Sequence, residues 1–136
     1  MSAEREYLAA EAKNIRKALE MIRDLLSRPT LTPYEVIALG KLLQDAYTGI
    51  ERILRTLLEG KGLKVQKSET WHKDLLLAAR QHSLISEDQF TTFRDLLLFR
   101  HMQVHGYGFM LNEARLRELA KSVPGSLERL LQDLLE

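Results

Sequence analysis

Leu8, Ala12, Ile15, Leu19, Ile22 and Leu26 recur at alternating spacings of four and three. At about 100° per residue these positions share one face, so the stretch buries itself as an amphipathic helix, predicted over about Ala3 to Ser27. Leu39, Leu43, Ala46, Ile50, Ile53 and Leu57 form a second stripe on a helix that runs to about Glu59. Arg28-Pro29-Thr30-Leu31 breaks the first helix. Thr32-Pro33-Tyr34-Glu35 opens the second, with threonine as N-cap, proline at the first helical position and glutamate placed to close a capping box. Two long helices with so short a break are expected to pack antiparallel. Those two stripes commit the chain to an all-α architecture.

A length of 136 residues suits one domain, 1–136, with a real hydrophobic core. The formal net charge of +1 excludes a bulk polyanion binder, so any nucleic-acid contact must come from a local patch or from patches joined in an oligomer. The absence of cysteine removes disulfides, thiolate metal sites and cysteine nucleophiles together. It fits a reducing cytoplasm, the expected location. Met1 to Glu6 is charged and lacks an apolar core, unlike a secretory signal. No run approaches the ~20 apolar residues of a membrane span, and no membrane partner is expected.

Farther along, Glu59 to Glu69 reads as the one long loop. Its two glycines and three lysines suggest a mobile, basic connection that could serve as a phosphate-contacting rim. Trp71 to Arg80 reads as a short third helix, with Trp71 anchoring it and His72 beside it as a packed or capping residue. Ser86-Glu87-Asp88-Gln89 is a second capping box, opening a helix through the apolar run Phe93 to Phe99. Asn112 to Lys121 and Ser126 to Leu135 read as two short helices, split by Val123-Pro124-Gly125. The expected fold is an up-and-down bundle of four main helices plus short C-terminal ones.

The residues that carry chemistry concentrate in Phe99-Arg100-His101-Met102-Gln103-Val104-His105-Gly106-Tyr107. On a helical wheel Phe93, Leu96, Leu97 and Val104 lie within about 60° of Arg100, which places Arg100 in the middle of an apolar face. A guanidinium facing a core needs a carboxylate, a phosphate or a subunit interface. Asp45 or Glu51, flanking the stripe of the second helix, is a candidate partner, although such residues more often form a solvated face; His101 is a further candidate for support. His105 falls on the flank, about 140° from Arg100. Gly106 and Gly108 bracket Tyr107, so the helix is expected to end between Val104 and Tyr107, freeing Tyr107 to turn toward Arg100.

Arg100, four residues, His105, one residue, Tyr107 resembles the R-x(4–6)-H-x-Y signature of HEPN domains. The surrounding Phe-Arg-His and His-Gly-Tyr, with Gly108-Phe109 and Leu111 behind, are most similar to the HepT-like branch, and Trp71-His72-Lys73 resembles it more weakly. The resemblance implies a HEPN-like bundle acting as a ribonuclease toxin on RNA. It implies Arg100, His105 and Tyr107 as the catalytic set, doubled across a two-fold homodimer with the motif helices near its axis. It also implies a cognate minimal nucleotidyltransferase antitoxin that transfers AMP to Tyr107. The chemistry agrees. RNA carries its own 2′-hydroxyl nucleophile, histidine titrates near neutrality, and an arginine fork matches a phosphate. Such a set works with neither metal nor cofactor.

Three other readings remain open. His101 and His105 stand at i, i+4, a spacing that can chelate zinc, though Met102-Gln103-Val104 lies between them where a zinc protease motif would carry glutamate. The chain could instead be a non-catalytic helical partner or substrate-binding subunit of a nucleotidyltransferase. It could also be a structural dimer in which Arg100 pairs with a carboxylate, with Tyr107 a packing residue.

Overall fold

A computed structural model describes residues 2–104 and 113–135, with the backbone alone at 103 and 104. The described residues form six helices: α1 (Ala3–Leu26), α2 (Pro33–Gly60), α3 (Trp71–Gln81), α4 (Glu87–Val104), α5 (Glu113–Lys121) and α6 (Val123–Leu135). Among them there is no strand, and no helix is long and apolar enough to cross a membrane. The fold is the expected all-α bundle.

Local chemistry sets the helix ends. Ser2 Oγ accepts from the Arg5 N–H at 3.1 Å and caps α1. At α2 both halves of the capping box form: Thr32 Oγ1 accepts from the Glu35 N–H at 3.2 Å, and Glu35 Oε1 accepts from the Thr32 N–H at 2.8 Å. The Thr32 backbone bond is the main reason the Glu35 carboxyl is held below its usual range. A carboxyl depressed in this way supports the fold above its unfolded pKa and loses that support as pH falls through the folded value. The Ser86–Gln89 box closes α4 likewise, at 2.9 and 3.1 Å.

α1 and α2 lie antiparallel, since Glu11 meets Arg52 at 3.3 Å and Ile15 meets Gly49 further along α1 and back along α2. Their approach is close: a Cβ on Gly49 would stand 2.6 Å from Ile15 Cγ1. α2 is buried from both sides. Leu39, Leu43, Ile50, Ile53, Leu54 and Leu58 are all inaccessible to solvent. α3 and α4 form a second antiparallel pair, with Arg80 near the end of α3 stacked over Phe90 near the start of α4, 4.1 Å from the ring centroid. The first turn of α3 therefore sits beside the last turns of α4.

Two segments differ from the expectation. The Glu59–Glu69 connection is not simply a solvated loop. Gly62 adopts a left-handed φ of 78°, and Leu63 N–H donates back to Leu58 O at 2.9 Å, capping α2. Leu63 and Val65 then pack on the core while Lys61, Lys64 and Lys67 stay exposed. The last helix begins three residues early, at Val123, with Pro124 in its first turn, where its missing N–H would have had no helical partner. The expected cap at Asn112 and the expected helix end between Val104 and Tyr107 reach beyond the described residues.

α5 is latched across the α1–α2 turn by Arg117. Its guanidinium donates to Leu26 O at 3.4 Å and Arg28 O at 2.6 Å and pairs with Glu113 at 2.9 Å. α6 covers α1 with Leu127, Leu130 and Leu131, all fully buried.

Gly49→Val is expected to destabilise the protein by about 2 kcal/mol, because the new methyls collide with a buried Ile15 on a neighbouring helix. Urea denaturation checks this, and an unchanged midpoint would contradict the close α1–α2 approach.

Candidate functional site

α2, α3 and α4 converge on one corner of the bundle. From α2 come Tyr47 and Glu51, one turn apart and on one face. They continue an apolar line of Leu43, Leu54 and Leu58, so both are drawn inward: Tyr47 is 0% and Glu51 6% exposed. A carboxylate in such a place needs a partner. His72, in the first turn of α3, supplies it, with Nδ1 2.6 Å from Glu51 Oε2. An ionised carboxylate only accepts, so Nδ1–H is the donor and Nε2 takes no part in the bond. Trp71 stacks on the same imidazole, with ring centroids 3.8 Å apart and planes tilted by 31°. The His72 side chain is 28% exposed. Lys67 Nζ lies 5.8 Å over the Trp71 ring.

α4 contributes Arg100, half-buried beyond Phe93, Leu96 and Phe99 of the core. Its charge reaches the Tyr47 hydroxyl. That phenol is pushed far above its ordinary pKa, first by burial and then by the neighbouring Glu51 carboxylate, while Arg100 pulls it the other way. Burial and the carboxylate prevail, so Tyr47 stays protonated at any physiological pH. Its hydroxyl has no hydrogen-bond partner among the described residues. A proton donor held in this way beside a carboxylate and a guanidinium is a costly arrangement to keep.

The other sequence-derived candidates fall as follows. Asp45 lies on another side of α2, paired with Lys41 at 2.8 Å and lining the groove against α1. His101 is exposed, one residue on from Arg100. His105 and Tyr107 lie outside the described residues. Sequence reasoning set His72 aside as a capping or packing residue; α3 has no side-chain cap, and its histidine reaches across to α2 instead. Tyr47 lies off the stripe predicted for the second helix, yet it is fully buried. The signal for both α2 residues was the four-residue spacing Leu43, Tyr47, Glu51, which runs into the buried Leu54.

A family model described as "HepT-like protein" matches residues 38–136, nearly three quarters of the chain. The chain belongs to the HepT-like family. The match takes in the whole corner, from Tyr47 and Glu51 on α2 through His72 on α3 to Arg100 on α4, and it continues over the HepT-like signature region. The α1 stripe lies outside it. No curated protein and no solved structure matches the chain.

Because its hydroxyl makes no well-formed hydrogen bond among the described residues, Tyr47→Phe is expected to leave stability unchanged or raise it by up to ~1 kcal/mol. Thermal unfolding measures this, and a clear loss of stability would mean that the hydroxyl is satisfied in the folded protein.

Proposed function

We propose that this HepT-like protein is a metal-independent endoribonuclease toxin. The observation that carries the reading is Arg100, held half-buried at a corner of buried polar side chains, at the start of the Arg-x4-His-x-Tyr signature of a HepT-like chain. In the proposed reaction a base takes the ribose 2′-hydroxyl proton and the 2′-oxygen attacks the adjacent phosphorus. The bond from phosphorus to the 5′-oxygen breaks, and an acid protonates that leaving oxygen. The products are a 2′,3′-cyclic phosphate and a 5′-hydroxyl. His105 acts as the base, the Arg100 fork stabilises charge on the phosphorane, and Tyr107 adds a hydroxyl donor. Lys61, Lys64 and Lys67 supply a basic rim for the RNA backbone.

The active unit is a homodimer. Supporting this, Leu98 and Met102, one turn apart on α4, are 58% and 38% exposed, and they line an apolar groove with Leu116 and Leu119 of α5. The partner is a minimal nucleotidyltransferase that transfers AMP from ATP to the Tyr107 oxygen, releasing pyrophosphate. The added phosphate and base then compete with RNA for the Arg100 fork, and silencing needs no distant conformational change.

Purified protein is expected to cut RNA in buffer containing EDTA. His105→Ala is expected to lower the rate about 10²–10⁴-fold and Arg100→Ala about 10²–10³-fold. A chain that cuts no RNA at any salt concentration would favour the non-catalytic partner reading. Inhibition by EDTA that zinc reverses would favour the His101–His105 metal site. Native mass spectrometry after co-expression with such a nucleotidyltransferase is expected to show dimers carrying AMP, lost in Tyr107→Phe. Monomers, or AMP on another residue, would overturn this part of the proposal.

A further inference from the structure

Cleavage by the 2′-hydroxyl needs two proton transfers, yet the signature offers one histidine per chain. The corner between α2, α3 and α4 holds another. His72 meets three requirements of an acid–base group. Its Nδ1–H is fixed on the buried Glu51 carboxylate at 2.6 Å, which sets the tautomer and the ring orientation. Trp71 stacks on the ring and limits its rotation. The side chain is 28% exposed, so a substrate can reach it.

Its position is also suitable. The antiparallel α3–α4 pair puts the first turn of α3 beside the last turns of α4, where Arg100 lies. Tyr47 lies between the two sides, within electrostatic reach of both Glu51 and Arg100. Lys67, 5.8 Å over the Trp71 ring, brings positive charge to the outer edge of the same corner. A purely structural tie between α2 and α3 would need no half-open imidazole. An apolar pair of similar volume would hold the helices as well without a buried carboxylate.

We infer that His72, oriented by Glu51, is the general acid that protonates the leaving 5′-oxygen in each protomer. This rests on the ribonuclease reading above. The ring enters this step doubly protonated: Nε2–H gives its proton to the 5′-oxygen as the bond to phosphorus breaks, leaving the neutral Nδ1–H tautomer on Glu51, and water returns a proton to Nε2 after the products leave. His72 is thus a catalytic residue and Glu51 a positioning residue.

The test uses two substrates, ordinary RNA and the same oligonucleotide with sulfur in place of the 5′-bridging oxygen at the cut site. A thiolate leaves without protonation, so losing the acid matters only for the first. His72→Gln is expected to cut ordinary RNA at least about a hundred-fold more slowly than wild type and the sulfur-bridged substrate at nearly the wild-type rate. Glu51→Gln is expected to show the same pattern with a smaller loss. His105→Ala should be slow on both. Equal loss on the two substrates in His72→Gln would make His72 structural and overturn the inference. Wild-type rates on ordinary RNA in both variants would overturn it too, with the ribonuclease reading intact. Wild type that cuts neither substrate would overturn the ribonuclease reading and this inference with it.

Discussion

The burial of α2 on both sides is the constraint on which the rest of the bundle depends. One side meets α1 where the Ile15 side chain sits directly on Gly49 and leaves no room for a Cβ there. The other side carries Tyr47 and Glu51 into the space that α3 and α4 enclose. Polar residues on the inward faces of this helix have no water to turn to. Each must find a partner or bear the cost of burial. Glu51 finds His72; the Tyr47 hydroxyl finds none among the described residues. The same geometry that makes the core also makes the polar corner.

The energetics of that corner favour chemistry over stability. Extracting a carboxylate from water costs several kcal/mol, and a single short bond to histidine roughly offsets this. The pair therefore adds little net stability. It does add orientation: an imidazole held by a carboxylate on one nitrogen and a tryptophan on its face has one pose instead of several. Arg100 contributes a fixed positive charge from the third helix of the corner. Positioned donors of this kind are what a developing phosphorane requires.

Most of the helix pattern was legible in the sequence, because it rests on local rules. Apolar spacing fixed the faces of α1 and α2, and Thr32-x-x-Glu35 and Ser86-x-x-Gln89 marked two starts by side chain–backbone reciprocity. The start of α6 was misplaced because Pro124 and Gly125 read as a break, whereas proline in a first turn costs nothing. At the site, Arg100 was visible as a cation on an apolar face. Tyr47 and Glu51 were harder to see, because a polar residue at helical spacing looks alike on a core line and on a solvated flank until the opposing helices are known. His72 was not legible at all, since its role comes from a contact across 21 residues between two helices. Asp45 and Glu51 looked equivalent in sequence, and six residues of helical rotation set them about 120° apart, one exposed beside Lys41 and the other buried.

The central claim is that the α2–α3–α4 corner receives an RNA phosphate between Arg100 and His72. It is tested most directly by nuclear magnetic resonance of the Arg100 guanidinium and His72 ring signals during titration with an RNA oligonucleotide. A 2′-deoxy substitution at the cleavage position removes the nucleophile, so the complex persists. Both sets of signals are expected to shift together with a single midpoint. Saturable binding that moves neither set would contradict that claim.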